Sequence, residues 1–144
     1  MKRYILSVCT FLCFIIAATA VEAEDFDGTR PMLISVIRVV ECVPDGTCRE
    51  VSPASVELPQ FLKIDFNKKT IQPAAAGDEA PTTTIERHEV VDGKLILQGA
   101  EDGYENMRDG LGWTMAITEE TGQVVLTASG DQVAFVVFGA ALPF

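Results

Sequence analysis

Thr83-Thr84-Ile85-Glu86-Arg87-His88-Glu89-Val90-Val91-Asp92-Gly93-Lys94-Leu95-Ile96-Leu97-Gln98-Gly99-Ala100 is the stretch whose pattern decides the fold. Two runs with strand-like apolar residues flank Asp92-Gly93. Both residues of that dipeptide tolerate positive φ, which is what a two-residue type I′ hairpin turn demands. A loop that short also sets the register, placing Val90 opposite Leu95 and His88 opposite Leu97.

The same pattern extends outward in both directions. Toward the amino terminus, Met32 to Cys42 is rich in Val and Ile, and Cys48 to Ser52 returns from a turn. Ser52-Pro53-Ala54-Ser55 predicts one helical turn, with serine as its cap and proline at its first position. In Phe61 to Phe66, Leu62, Ile64 and Phe66 fall on one side and Lys63 and Asp65 on the other. Thr70-Ile71-Gln72 is a short strand, and Pro73 to Pro81 a small, polar loop. Toward the carboxyl terminus, Glu101 to Gly112 is an acidic, glycine-rich loop, followed by strands over Trp113 to Thr118, Val124 to Ala128 and Val133 to Gly139. The last is apolar on both faces, the mark of a central strand covered on both sides. About nine strands joined by tight turns must lie antiparallel, because parallel neighbours need long crossovers. The expected fold class is all-β: an antiparallel meander closing as a small barrel or folding as a sandwich, with the barrel preferred because closure removes exposed edges.

The amino terminus belongs to a different regime. Met1-Lys2-Arg3 is positive, Tyr4 to Ile16 is apolar, and Ala17-Ala18-Thr19-Ala20 is small, the three-part layout of a signal peptide. The apolar run is shorter than the roughly 20 residues a spanning helix needs, so no stable membrane span is expected after cleavage. Cleavage fits after Ala20 or after Ala23, and the second is preferred, giving residues 1–23 as signal peptide and 24–144 as one domain. The expected location is the periplasm or the extracellular space. Cys9 and Cys13 leave with the leader; the pair that remains, Cys42 and Cys48, is expected to form a disulfide across Val43-Pro44-Asp45-Gly46-Thr47.

Removing residues 1–23 leaves 9 basic and 20 acidic side chains, a net charge of −11. Such a chain does not suit nucleic acid or anionic lipid, both of which call for basic patches.

Candidate sites are few. His88 is the only histidine. Glu86 shares its strand face and makes a low-ranking polar site, although a half-buried structural histidine is the simpler expectation. No G-x-S-x-G elbow accompanies it. Asp102, Glu105 and Asp109 crowd one loop without the spacing of a calcium-binding EF-hand. No catalytic residue, metal ligand or cofactor motif is assigned. Trp113, Met115 and Ile117 share one strand face and Leu126 lies on a matching face of the next, so these four either line a cavity for an apolar ligand or form the core. At the carboxyl terminus, Phe144, Leu142, Ala140, Phe138 and Val136 alternate like the closing strand of an outer-membrane β-barrel, but Pro143 interrupts it and Phe135 and Val137 are not lumen-like.

Phe26-Asp27-Gly28, Glu41-Cys42, Gly46-Thr47-Cys48, Leu58-Pro59-Gln60-Phe61-Leu62, Gly112-Trp113, Thr121-Gly122 and Phe135-Val136-Val137-Phe138-Gly139-Ala140 resemble a group of small exported proteobacterial β-rich proteins. The resemblance implies export and a β-rich domain and carries no activity over. That group has further cysteines where this chain has Ile34 and Ala141, so a second disulfide is not expected. Thr127-Ala128-Ser129-Gly130 also resembles a motif of periplasmic lysozyme inhibitors, without its flanking pattern.

The expected function is therefore a non-enzymatic binding domain for a protein or a small apolar ligand. The alternatives are an inhibitor of a cationic cell-wall hydrolase, a small hydrolase using His88 and nearby carboxylates, and an outer-membrane-associated β-barrel. A ligand binder requires a cavity lined by the Trp113 and Leu126 faces, an inhibitor a protruding acidic loop, and an enzyme a cleft that gathers His88 with two acids.

Overall fold

The computed structural model describes residues 26–77, 80–103 and 109–144; the expected signal peptide and residues 104–108 lie outside the described residues. In chain order the strands are β1 (Met32–Cys42), β2 (Cys48–Val51), β3 (Phe61–Asp65), β4 (Thr70–Pro73), β5 (Thr83–Thr84), β6 (Arg87–Val91), β7 (Lys94–Glu101), β8 (Leu111–Thr118), β9 (Gln123–Gly130) and β10 (Val133–Pro143). A 3-10 turn, Pro53–Val56, follows β2; Ser52 caps it by accepting the Ser55 N–H, and proline stands at its start. No helix among the described residues is long and apolar enough to cross a membrane.

The deciding hairpin forms as its sequence dictates. Asp92 and Gly93 have φ of 48° and 71°. Val90 faces Leu95 and His88 faces Leu97.

All ten strands join one antiparallel sheet, ordered β5-β4-β3-β1-β10-β9-β8-β7-β6, with β2 folded back on β1. The chain is all-β, one sheet curled into a half-barrel rather than two sheets stacked. Its end strands, β5 and β6, are successive pieces of one segment, separated only by Ile85 and Glu86. At that joint the Ile85 N–H donates to the Lys69 carbonyl at 2.8 Å, and the Glu86 N–H donates to the Gln98 carbonyl at 2.9 Å. One short segment thus bonds toward both ends of the sheet, which deals with edges that would otherwise offer unpaired backbone groups.

β1 changes phase in mid-course. Met32, Ile34 and Val36 are buried, then the register against β10 slips between Val36 and Arg38, and Val39 is the next buried residue. Ile37 is the extra residue of this β-bulge and stands 69% exposed. Gln60 satisfies the backbone there. Its carbonyl accepts the Val36 N–H at 2.9 Å, and its side-chain amide donates to the Val36 carbonyl.

The concave face holds the core. Leu97, Met115, Leu126, Val137 and Val39 lie in register across five neighbouring strands. Ile64, Leu95 and Ile117 are fully buried beside them. Each such side chain stabilises the fold by about 1.5–3 kcal/mol through burial. Phe26 seals one end: its ring lies against Gly122, where a Cβ would come within 2.5 Å of the ring.

The expectation for the last strand is half right. β10 is central, between β1 and β9, but it is not covered on both faces: Phe138 on the convex side is 42% exposed. Among the described residues nothing is layered outside the curl, so apolar content on the outer face reports sheet-forming preference there.

Cys42 and Cys48 face each other across β1 and β2 with their sulfurs bonded at 2.00 Å. The turn between them is held by the Val43 N–H on the Thr47 carbonyl and the Gly46 N–H on the Val43 carbonyl, both 3.0 Å. Hydrogen bonds from Thr47 keep the Asp45 carboxyl below the usual carboxylate range. Replacing both cysteines with serine is expected to lower the unfolding free energy by about 2 kcal/mol, the chain-entropy value for so short a loop. Urea melts of the variant should match those of the reduced wild-type protein. Identical melts for oxidised and reduced wild type would count against any contribution from the bond.

Candidate functional site

Among the described residues, the end of the curl away from Phe26 is open. β8 presents Trp113 and Met115 there, two residues apart and so on one face. Leu126 stands opposite Met115 on β9, and Ala128 opposite Trp113. Leu62 from β3 and Ile71 from β4 complete the floor, and Leu58, beyond the 3-10 turn, and Leu111 add to the wall. Together they bound a cavity of about 660 Å³. That is within the roughly 300–1,000 Å³ of small-molecule sites, which are typically apolar with a few fixed polar groups.

The polar groups gather at the mouth. Glu57, Glu101, Asp102 and Asp109 all line it, together with Gln72 and Thr83. The base of the acidic loop is pinched together here, with the Asp109 carboxylate against Gly103 and Gly110 against the Glu101 carbonyl. Thr83 Oγ1 donates to Glu101 Oε1, tying β5 to the end of β7. Partial burial, and then the negative charge of Asp102, raise the Glu101 carboxyl above its ordinary value. Glu57 takes a left-handed conformation, φ 54°, where its N–H closes the 3-10 turn.

Trp113 is 8% exposed, and its Nε1 is buried without a hydrogen-bond partner among the described residues. A buried donor left unpaired costs about 1–3 kcal/mol, so this N–H is suited to an acceptor from outside the described residues. The ring is wedged beside Gly99, where a Cβ would lie 2.5 Å from both the indole and the Thr84 carbonyl.

No family model, curated protein or solved structure matches this chain. The site must therefore be judged from its own geometry.

Of the four apolar residues expected to face a ligand or the core, three line the cavity: Trp113, Met115 and Leu126. Ile117 lies deeper, fully buried toward the sealed end. Glu86 borders a shallow hollow with Gln98, Trp113 and Thr127. The His88 ring meets Phe66 edge-on at 6.1 Å. His88 is exposed rather than half-buried, because every residue of the end strand β6 is exposed even though Leu97 opposite it is fully buried. No group of three or more His, Cys, Asp or Glu is placed to hold a metal ion among the described residues. The acidic loop that an inhibitor would have to present contributes Glu101, Asp102 and Asp109 to the cavity mouth, and its residues 104–108, Glu105 among them, lie outside the described residues.

Sequence reasoning missed Leu58, Ile71 and Leu111 as lining residues, and Glu101 as a mouth residue. Alternation in residues 61–66 was the one local signal that pointed to Leu62. The others come together only through the curl.

Proposed function

We propose that this chain is an exported, non-enzymatic binding domain whose cavity takes a small, largely apolar ligand. The observation that carries the reading is the cup itself: Trp113, Met115 and Leu126 line a cavity of about 660 Å³ that is open at one end and sealed at the other by Phe26. The curl is read as a barrel with residues 83–91 as its seam, an architecture whose mouth is a common ligand site. The Cys42–Cys48 bond and the signal-peptide layout of residues 1–23 support an oxidising compartment outside the cytoplasm.

The sole tryptophan is a built-in reporter. A neutral naphthylamine dye should quench Trp113 emission saturably, by energy transfer from within the cup. Ala128→Phe places an aromatic ring in the cavity, directly across from Trp113. That variant is expected to weaken dye binding by about tenfold or more, since overfilling a packed site is resisted by about 1–3 kcal/mol, while melting like the wild type. Unaltered dye affinity in a folded Ala128→Phe protein would place the dye elsewhere and remove the support for the cup.

A further inference from the structure

We infer that the outer face of β8, β9 and β10 is an interface between two copies of this chain, in which a ridge on each copy enters a hollow on the other. The three strands are neighbours in the sheet, and none of them contains a lysine, arginine, aspartate or glutamate. The flanking strands do carry charge: Arg38 and Glu41 on β1, Lys94 and Glu101 on β7. Sheet-forming preference accounts for valine and phenylalanine on the outside of a curl. It does not account for three adjacent strands without charge in a chain of 11 basic and 21 acidic residues. Loss of charge around an aromatic centre is the composition of an interface core.

The relief of the face selects a second copy as its occupant. Phe138, Val125 and Ala116 lie in register across it, and Phe138 is 42% and Val125 40% exposed; they form the ridge. Two residues along each strand, Val136, Thr127 and Thr114 are again in register and line a shallow hollow of about 490 Å³. Glu86, from the seam, is the one charged residue that borders it among the described residues. Ridge and hollow run side by side, so a two-fold axis between them seats each ridge in the other copy's hollow, the self-complementary arrangement of an isologous pair. A partner of opposite charge would find no carboxylate on these strands to pair with, whereas two equally acidic copies can meet only where neither brings charge. Leu142 on β10 and Phe61 on β3, both about half exposed, extend the face across β1. Five strands about 4.8 Å apart, rising about 3.4 Å per residue, present roughly 650 Å², near the roughly 800 Å² per partner of a stable interface.

Sedimentation of the full mature chain is the test. A concentration-dependent dimer is expected, and it should tighten as salt rises, because screening weakens the repulsion between two acidic bodies. Phe138→Asp puts a charge on the ridge and Thr127→Lys puts one in the hollow. Each alone is expected to raise the dissociation constant about a hundredfold or more, through charge buried without a partner, while the circular dichroism stays that of the wild type. Mixing the two variants should restore dimers, with affinity within about tenfold of wild type. In that heterodimer the new carboxylate meets the new ammonium on one side of the axis, and native ridge meets native hollow on the other. Val90→Asp, at a similarly exposed site on β6, should leave the dimer as it is.

A wild-type chain still monomeric at about 1 mM would overturn the inference. A dimer indifferent to both substitutions, or no heterodimer on mixing, would overturn it too. So would a monomer that floats with phosphatidylcholine vesicles and loses them on Phe138→Asp, a result that gives the face to lipid.

Discussion

Ile85→Ala is expected to lower the unfolding free energy by about 2–5 kcal/mol, the range for truncating a buried isoleucine to alanine. Ile85 is 1% exposed and belongs to the main core cluster. Its position makes the upper half of that range the expectation. Ile85 stands between β5 and β6, where the chain leaves one end of the sheet and joins the other, and its N–H is already committed to Lys69. A cavity there removes the only large apolar anchor within the joint, so the loss includes loosening of both attachments as well as lost burial. The control is Ile85→Val, expected to cost about 0.5–1.5 kcal/mol. Urea unfolding followed by circular dichroism and by Trp113 emission provides the measurement. A cost below that of the valine control would mean that the segment is not seated as described.

The second large effect comes from the opposite kind of change. A Cβ at Gly99 would lie 2.5 Å from the Thr84 carbonyl oxygen and 2.5 Å from the Trp113 ring. One obstacle is backbone and the other a rigid buried indole, so neither yields cheaply. Gly99→Val, which adds two further methyl groups, is expected to cost about 3 kcal/mol or more, the severe end for overpacking. It would push β5 from β7 and Trp113 toward the cup. The variant should therefore lose dye binding as well as stability, with a shifted Trp113 emission maximum in whatever folded fraction remains. A folded Gly99→Val protein with unaltered emission would contradict the close approach. Gly112, on the adjacent strand, has nothing within 4 Å of its Cβ position, and Gly112→Ala is the matched comparison.

What could be read from residues alone was what is local. The Asp92-Gly93 turn, the Ser52 cap, the Cys42–Cys48 pair and the strand at Met32–Cys42 each depend on neighbours within a few positions, and each is present. Two phase slips were not legible. At Ile37 the run Val36-Ile37 is apolar whichever residue faces inward, so nothing in it marks the bulge. At Ile85-Glu86 an apparently single strand over residues 83–91 divides in two, and the surrounding polar residues give no cue to the change of partner. The candidate site was half legible for the same reason. Trp113, Met115 and Leu126 declared a shared face by alternation. The mouth brings Glu57 to the Glu101 and Asp109 of the acidic loop from more than forty residues away, and no spacing rule connects the two segments.

The pairing of β1 with β10 also constrains how the molecule comes into being. Met32 lies beside Pro143, and Cys42 beside Ala134, so β1, the first strand of the described residues, finds its longest partner only in β10, the last of them. The hairpins from β6 to β10 can zip up among themselves and β1 can pair early with β2 and β3, but its ladder with β10 must wait, and such remote pairings make for slow folding. A nascent chain of this design cannot close its sheet until residues 133–143 have emerged. A message truncated before residue 133 would yield a product whose β1 keeps β2 and β3 along one side and lacks β10 along the other, an open edge for a protease or another chain to seize.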